Sequence, residues 1–492
     1  MTFVSVAFLI FFVCIVAGCY LCPPRFRWAL LLLGSCYFYM VFVPQYILVL
    51  FFIILVDYIC ALRMDRTEGA AKRRMFFVGM FMTISVLFVF KYFNFFNDNI
   101  ALLARALDWN YSIEALQILL PLGLSFHTFQ SISYLIEVYR GKYPAERHFG
   151  IYALYVMFFP QLVAGPIERP SHLIPQFKKV VFFEGANVFS GIRLMAWGFF
   201  KKLVIADRLA FSVNYIYANA LHLSGPSILF AMFAFAFQLY ADFSGYTDIA
   251  RGSARVFGID LVRNFNQPYF SRSIEEFWRR WHISLSSWFH DYFYFPLVYS
   301  AKRITIYWLY FCIVATFVVI GFWHGAAWSY ICMGLFFGGA IVIGRITKPL
   351  RRAFLVRTGL THVPRVHTMI QIGVTFVLVN IGWVFFRSPD LSSAFGFFKQ
   401  LFVGWDISFA QFLEGFIIHP VMMLGIKNVD LALSFCFIFL LLFVESMEKR
   451  GRLAVFLNTQ SLFVLSVLYS SLVLALVLFG SFATNAFIYF QF

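Results

Sequence analysis

Charge is what this chain has least of. Only 13% of its 492 residues are Asp, Glu, Lys or Arg, about half the share in a soluble protein. Carboxylates are the scarcest, 23 against 39 basic side chains, for a net charge of +16. A chain that is 62% apolar and 21% aromatic cannot hide that surface in a soluble core, which leaves a polytopic, all-α membrane protein. No basic residue precedes Arg25. A cleavable signal peptide needs a basic start, so the first apolar stretch is expected to be a retained span. There is no Ser- or Pro-rich linker and no soluble insertion of domain size, so one transmembrane domain is expected over 1–492. No basic helix or sequence motif suggests a nucleic-acid partner. The excess of Lys and Arg reads as cytoplasmic loops in contact with the bilayer.

Metal and nucleotide motifs are missing as well. Of eight cysteines, Cys14, Cys36, Cys60, Cys312, Cys332 and Cys436 lie inside apolar runs. Cys19 and Cys22 form a C-x-x-C that no second pair or nearby histidine completes. No two histidines share a helix face at H-x-x-x-H spacing, and Gly-x-Ser-x-Gly, Walker and Rossmann glycine patterns are absent. No metal or bound cofactor is expected, and histidine remains as the acid/base. His148, His172, His222, His362, His367 and His419 fall in loops or beside charges. His282 and His324 stand out.

Apolar runs begin at about 3–22, 28–43, 46–62, 75–95 and 115–138. Basic loops follow the first, third and fifth of these: Arg25 and Arg27, then Arg63 to Arg74, then Arg140 to Arg147. One orientation places all three in the cytoplasm, with the N-terminus and the segment Asn97–Glu114 outside. The next run, 149–164, breaks the alternation. Pro160, Gly165, Pro166 and Pro170 interrupt it, and a re-entrant loop would keep Arg169, Lys178 and Lys179 on the cytoplasmic side. Irregular backbone survives at membrane depth only when buried in protein or lining a wet cavity.

Further runs lie near 190–206 and 227–243, and then Ile304 to Gly344 supplies 41 residues without a charge. That is roughly 60 Å of helix, or two crossings. The turn falls at Gly321-Phe-Trp-His-Gly325, which places His324 at the apex. An ionisable group there is either a functional residue or an interfacial histidine at a hairpin tip. The stretch 242–297 is denser in charge. It carries Asp242, Asp248, Arg251 and then Glu275 to Ser284. Read as one helix, it sets Arg279, His282 and Ser286 on one face, with Trp278, Trp281 and Trp288 forming an interfacial aromatic belt. Such a helix cannot span lipid; it lies at the interface or dips into the bundle.

Phe277-Trp-Arg-Arg-Trp-His-Ile-Ser-Leu-Ser-Ser-Trp288 and Gly321-Phe-Trp-His-Gly325 resemble the two signature motifs of the membrane-bound O-acyltransferase (MBOAT) family. Gln238–Ala250 and Gln161–Arg169 are similar to further family segments, in the same order along the chain. Chain length and the Gln161–Arg169 block resemble the bacterial alginate O-acetyltransferase branch. The resemblance implies about 11–13 transmembrane or re-entrant helices in a ring around a central funnel, with the motif-bearing core over about 120–345. It maps the family's invariant histidine onto His324 and its second histidine onto His282.

A neutral imidazole can take the proton of an attacking hydroxyl, and the resulting oxyanion needs a donor. His324 is the expected base, and His282 the orienting or donating group. Trp323, Ser286, Arg279, Asp242 and Asp248 are supporting candidates. The two aspartates are expected to hold Arg251 or Arg279 in structural salt bridges, or to fix a ring tautomer. Lys201 and Lys202, or Lys178 and Lys179, are candidates for the phosphates of an acetyl-CoA donor, for which an acyl carrier protein is the alternative. The acceptor implied is an extracytoplasmic polysaccharide or a periplasmic SGNH-type partner enzyme at a bacterial inner membrane. D-alanyl or peptidoglycan O-acyl transfer stays open within the family. Outside it stand an ion-coupled transporter and a membrane scaffold.

Overall fold

The computed structural model describes residues 1–180, 182–405, 420–482 and 487–488, the side chain of Met422 excepted. His419 lies outside the described residues. Among them the chain is helical throughout, without a strand, and eight helices are long and apolar enough to cross a membrane. Val6–Leu21 is a shorter apolar helix. The protein is an all-α, multi-pass membrane protein.

Chain contacts divide it into two compact units. The first holds Met1–Met195, Ile249–Arg263 and His290–Tyr292; the second holds Ala196–Asp248, Asn264–Phe289 and Phe293–Phe492. The motif-bearing core expected over 120–345 is shared between them. Gln161–Arg169 lies in the first unit, and both histidine motifs lie in the second.

In the first unit Tyr46–Asp65 and Gly69–Leu87 pack on Leu124–Tyr139, whose residues from Leu124 to Val138 are all buried. The expected run 115–138 is therefore helical only from Leu124. Over 149–164 the helix Phe149–Met157 has 9 residues, about 14 Å, too short to cross. Buried irregular backbone follows from Phe158 to Glu168, and the short helix Pro170–Lys178 carries the chain on.

The second unit is built on the uncharged run. Helices Ile306–His324 and Trp328–Ile346 form the hairpin, separated by the extended residues Gly325 and Ala327. The Thr305 hydroxyl caps the first by accepting from the Trp308 N–H at 3.2 Å. The two helices touch backbone to backbone: a Cβ on Gly321 would sit 2.1 Å from the Tyr330 carbonyl oxygen. With lipid tails as apolar as leucine, such small-residue contact is how membrane helices associate. Pro364–Arg387 then packs along Trp328–Ile346.

The segment 274–289 is not one helix. Ile274–Trp278 and Ile283–Phe289 are separate short helices, broken where His282 takes a positive φ of 45°. The break rotates Arg279 away from His282. Arg279 is exposed and its guanidinium lies 3.8 Å from Glu275. The tryptophans are not an interfacial belt either. Trp278, Trp281 and Trp288 are 5%, 1% and 6% exposed, and Trp281 packs at a tilt 5.0 Å from Trp383 of the helix Pro364–Arg387. The segment dips into the protein because three indoles gain more from an aromatic core than from an interface.

Candidate active site

His324 is the last residue of the helix Ile306–His324 and is 5% exposed. Its ring lies 4.8 Å from Trp323 and 5.4 Å, edge-on, from Phe386. His282 is wholly buried. Its ring lies 4.7 Å, edge-on, from Phe243 and 6.1 Å from the same Trp323. Two elements far apart in sequence thus bring both expected histidines to one indole. The surroundings are aromatic, and burial pushes the His282 imidazole down to about 3, so the ring is neutral at physiological pH. A pair of imidazoles in a water-poor aromatic setting suits proton transfer to and from a hydroxyl.

Backbone geometry fixes His282. A left-handed conformation costs roughly 1–3 kcal/mol and persists only where neighbours over-determine it. Here the Ile283 N–H donates to the Asn264 carbonyl at 2.9 Å, and the Ser284 N–H donates to Asn264 Oδ1 at 3.2 Å. The Ser286 N–H returns to the His282 carbonyl at 3.0 Å, and the Ser286 hydroxyl donates to the Trp281 carbonyl. Ser286 therefore supports the turn.

The remaining candidates fall elsewhere. Lys201 and Lys202 are both 4% exposed. Lys201 Nζ lies 2.5 Å from Asp248, and Lys202 Nζ lies 2.8 Å from both Asp207 and Asp242. The helix Gly225–Val256 passes close enough that a Cβ on Gly245 would meet the Gly198 carbonyl at 2.7 Å, which is how its aspartates reach these ammonium groups. Asp242 and Asp248 form salt bridges as expected, with Lys202 and Lys201 among their partners. Arg251 donates to the Leu261 carbonyl. Freeing Lys202 for a ligand would strand two buried carboxylates, which argues for a structural role. Asp242 also accepts the Ile488 N–H at 2.8 Å, and Phe487 stacks 4.4 Å from Tyr246.

In the first unit Lys178 is half-exposed and paired with Glu146 at 2.5 Å. Lys179 is exposed and lines a notch with Arg27, Tyr20, Trp28, Gln176 and Phe177. No group of three or more His, Cys, Asp or Glu among the described residues could hold a metal.

Sequence reasoning missed Asn264, Phe243, Asp207, Trp383 and Phe386. Only Asp207 carried a usable signal, an acidic residue five positions beyond a lysine pair in an apolar run.

The profile of the membrane-bound O-acyltransferase family matches residues 147–386, a span that takes in both histidines and ends at Phe386. The chain is 34% identical over 426 residues to a peptidoglycan O-acetyltransferase of Helicobacter pylori, covering 81% of this chain and 77% of that one. It is 37% identical over 420 residues to a probable alginate O-acetylase of Pseudomonas aeruginosa, covering 83% and 76%. A teichoic acid D-alanyltransferase of Streptococcus thermophilus is 31% identical over 234 residues, 45% of this chain. With motif order, buried histidine pair and relatives matched over most of their length in agreement, this chain is an O-acyltransferase and belongs to the membrane-bound O-acyltransferase family.

Proposed function

We propose that the protein transfers acetyl groups from a cytoplasmic thioester, acetyl-CoA, to hydroxyls of an extracytoplasmic polysaccharide of the alginate type. Transfer is direct or passes through a serine of a periplasmic SGNH-type partner, at a bacterial inner membrane. The observation that carries this reading is the pair of buried histidines on Trp323 in a chain similar over four-fifths of its length to O-acetylating relatives. Peptidoglycan is the second acceptor, favoured by the Helicobacter pylori relative. D-alanyl transfer is supported over a shorter match. An ion-coupled transporter finds no support among these relatives.

His324 accepts the proton of the acceptor hydroxyl as its oxygen attacks the thioester carbonyl. The tetrahedral oxyanion needs a donor or oriented dipole, and His282 is the group we assign to orient or donate. Collapse breaks the C–S bond, and the departing thiolate takes the proton held on His324. Donor phosphates would meet Lys178 and Lys179, of which Lys179 shares its notch with Arg27.

Replacing His324 with alanine tests the assignment. In a deletion strain carrying the variant, mass analysis of the surface polymer should find acetyl ester lost, with protein level and membrane insertion unchanged. Loss of a general base costs about 10²–10⁴-fold. His324→Gln keeps a hydrogen bond without proton acceptance and should be nearly as inactive. A well-folded His324→Ala protein that acetylates near the wild-type rate sinks the mechanism. Turnover with an acyl carrier protein and none with acetyl-CoA sinks the donor assignment.

A further inference from the structure

We infer that Asn264 is the positioning residue for His282, acting through the backbone on either side of the left-handed turn. The inference rests on the role proposed above for His282.

The geometry is specific. Asn264 is 1% exposed and contributes both its carbonyl and its side-chain oxygen to the two amides that directly follow His282, those of Ile283 and Ser284. Two residues on, the Asn266 N–H donates to the Arg280 carbonyl at 2.9 Å, just before the histidine. The segment 264–266 thus grips the turn on both sides of the strained residue. Phe265, between the two asparagines, fills the space behind. It packs 5.0 Å from Trp281 and 5.0 Å from Phe243, the ring that lies edge-on to His282.

A backbone hydrogen bond could come from any residue at 264. The Oδ1 acceptor could not, and it matters because the first turn of the helix Ile283–Phe289 starts with amides that have no helical partner. Serving Ser284 N–H from the side fixes where that helix begins, and therefore the direction in which the residue before it projects its ring. Asn264 accepts a cost for this. Its amide nitrogen is buried without a hydrogen-bond partner among the described residues, worth about 1–3 kcal/mol against the fold.

The side chain touches neither the His282 ring nor His324 in any contact described above. It therefore acts on the reaction only by setting where the imidazole stands. Misplacing a reacting group by about 1 Å costs about 10²-fold, while binding determinants elsewhere are left alone.

The test is a double-mutant cycle on the purified full-length protein, with acetyl-CoA as donor and alginate oligomers as acceptor. Release of CoA thiol is followed in single turnovers and scaled to folded protein. Asn264→Ala should lower kcat by about 10²-fold with little change in KM for acetyl-CoA. Asn264→Asp retains an oxygen for Ser284 N–H and should recover part of that loss, which separates positioning from mere folding. In the His282→Ala background, Asn264→Ala should cost nothing further, because it has no ring left to place. Additive losses, or wild-type kcat in Asn264→Ala, overturn the inference. Should Asn264→Ala fail to fold, Asn264→Asp decides alone: a kcat per folded molecule far below wild type, undiminished in the His282→Ala background, overturns it equally. His282→Ala at the wild-type rate would sink instead the role of His282 on which the inference rests. Wild-type protein without turnover in this pair of substrates moves the same cycle into cells, read as ester content of the surface polymer.

Discussion

Lys202→Met should unfold the protein before it affects donor affinity. The ammonium lies 2.8 Å from Asp207 and 2.8 Å from Asp242, and all three side chains are 4–5% exposed. Removing the cation leaves two carboxylates in the interior. Breaking one buried pair costs about 3–5 kcal/mol, or about two to three and a half powers of ten in the folding equilibrium. Asp242 retains the Ile488 N–H. The lower half of that range is therefore expected. The measurements are yield of monodisperse protein and thermal midpoint in detergent, with KM for acetyl-CoA on whatever folded fraction survives. Lys202→Met combined with Asp207→Asn and Asp242→Asn removes every charge of the triad and should recover most of the yield, since neutral isosteres replace buried ion pairs at little cost. Wild-type yield and midpoint in Lys202→Met, with a raised KM for acetyl-CoA, would refute the structural role and restore these lysines to the donor.

Neutralising Lys179 together with Arg27 should raise KM for acetyl-CoA with a smaller effect on kcat, the signature of lost uniform binding; Lys178 is a poorer probe because its loss strands Glu146, 4% exposed. Cysteine labelling should find Arg63–Arg74 and Arg140–Arg147 cytoplasmic and Asn97–Glu114 outside, and labelling of 97–114 only from the cytoplasm would reverse the orientation. His282 makes the fold acid-sensitive. Its folded-state pKa of about 3 lies below the unfolded value, so its contribution is intact above about pH 6.5 and is lost as pH falls toward 3, roughly 2 kcal/mol between pH 7 and pH 5. His282→Ala should flatten that slope in thermal midpoint, and an unchanged slope would count against burial as the cause.

Long-range organisation was legible because it follows from counting. An uncharged run of 41 residues with glycines at its middle can only be a hairpin, and Gly325–Ala327 is where it turns. The break at 149–164 was legible for a similar reason, since Pro160, Gly165 and Pro166 cluster where the helix would have to continue. The second motif was misread. Its i, i+3 and i+4 spacings satisfy a helical pattern, and nothing in Arg279-Arg-Trp-His282 announces a left-handed residue. That conformation is set by Asn264, whose partners lie about 20 positions on. Trp383 and Phe386 were out of reach for the same reason: aromatic residues are so common here that two more near 385 carry no information until folding sets Phe386 against His324.

The lysine pair shows where sequence reasoning could have gone one step further. Two lysines inside an apolar run require anions, and a chain can meet that requirement with a ligand or with its own carboxylates. Asp242 and Asp248 lie six apart on the helix Gly225–Val256, the candidate span with the highest buried share, 78%. A carboxylate as deep as Asp242, 3% exposed, needs a cation as strictly as the lysines need anions. Arg251 and Arg279 were the basic partners nearest in sequence. Arg279 ends exposed beside Glu275, away from both aspartates. Matching the two demands by burial, rather than matching each charge to its nearest opposite in sequence, pairs Lys201 with Asp248 and Lys202 with Asp242. Asp207 then adds a second carboxylate on the Lys202 ammonium. Burial and the Asp242 charge push its pKa up against the pull of Lys202, so the cluster can approach neutrality by holding a proton.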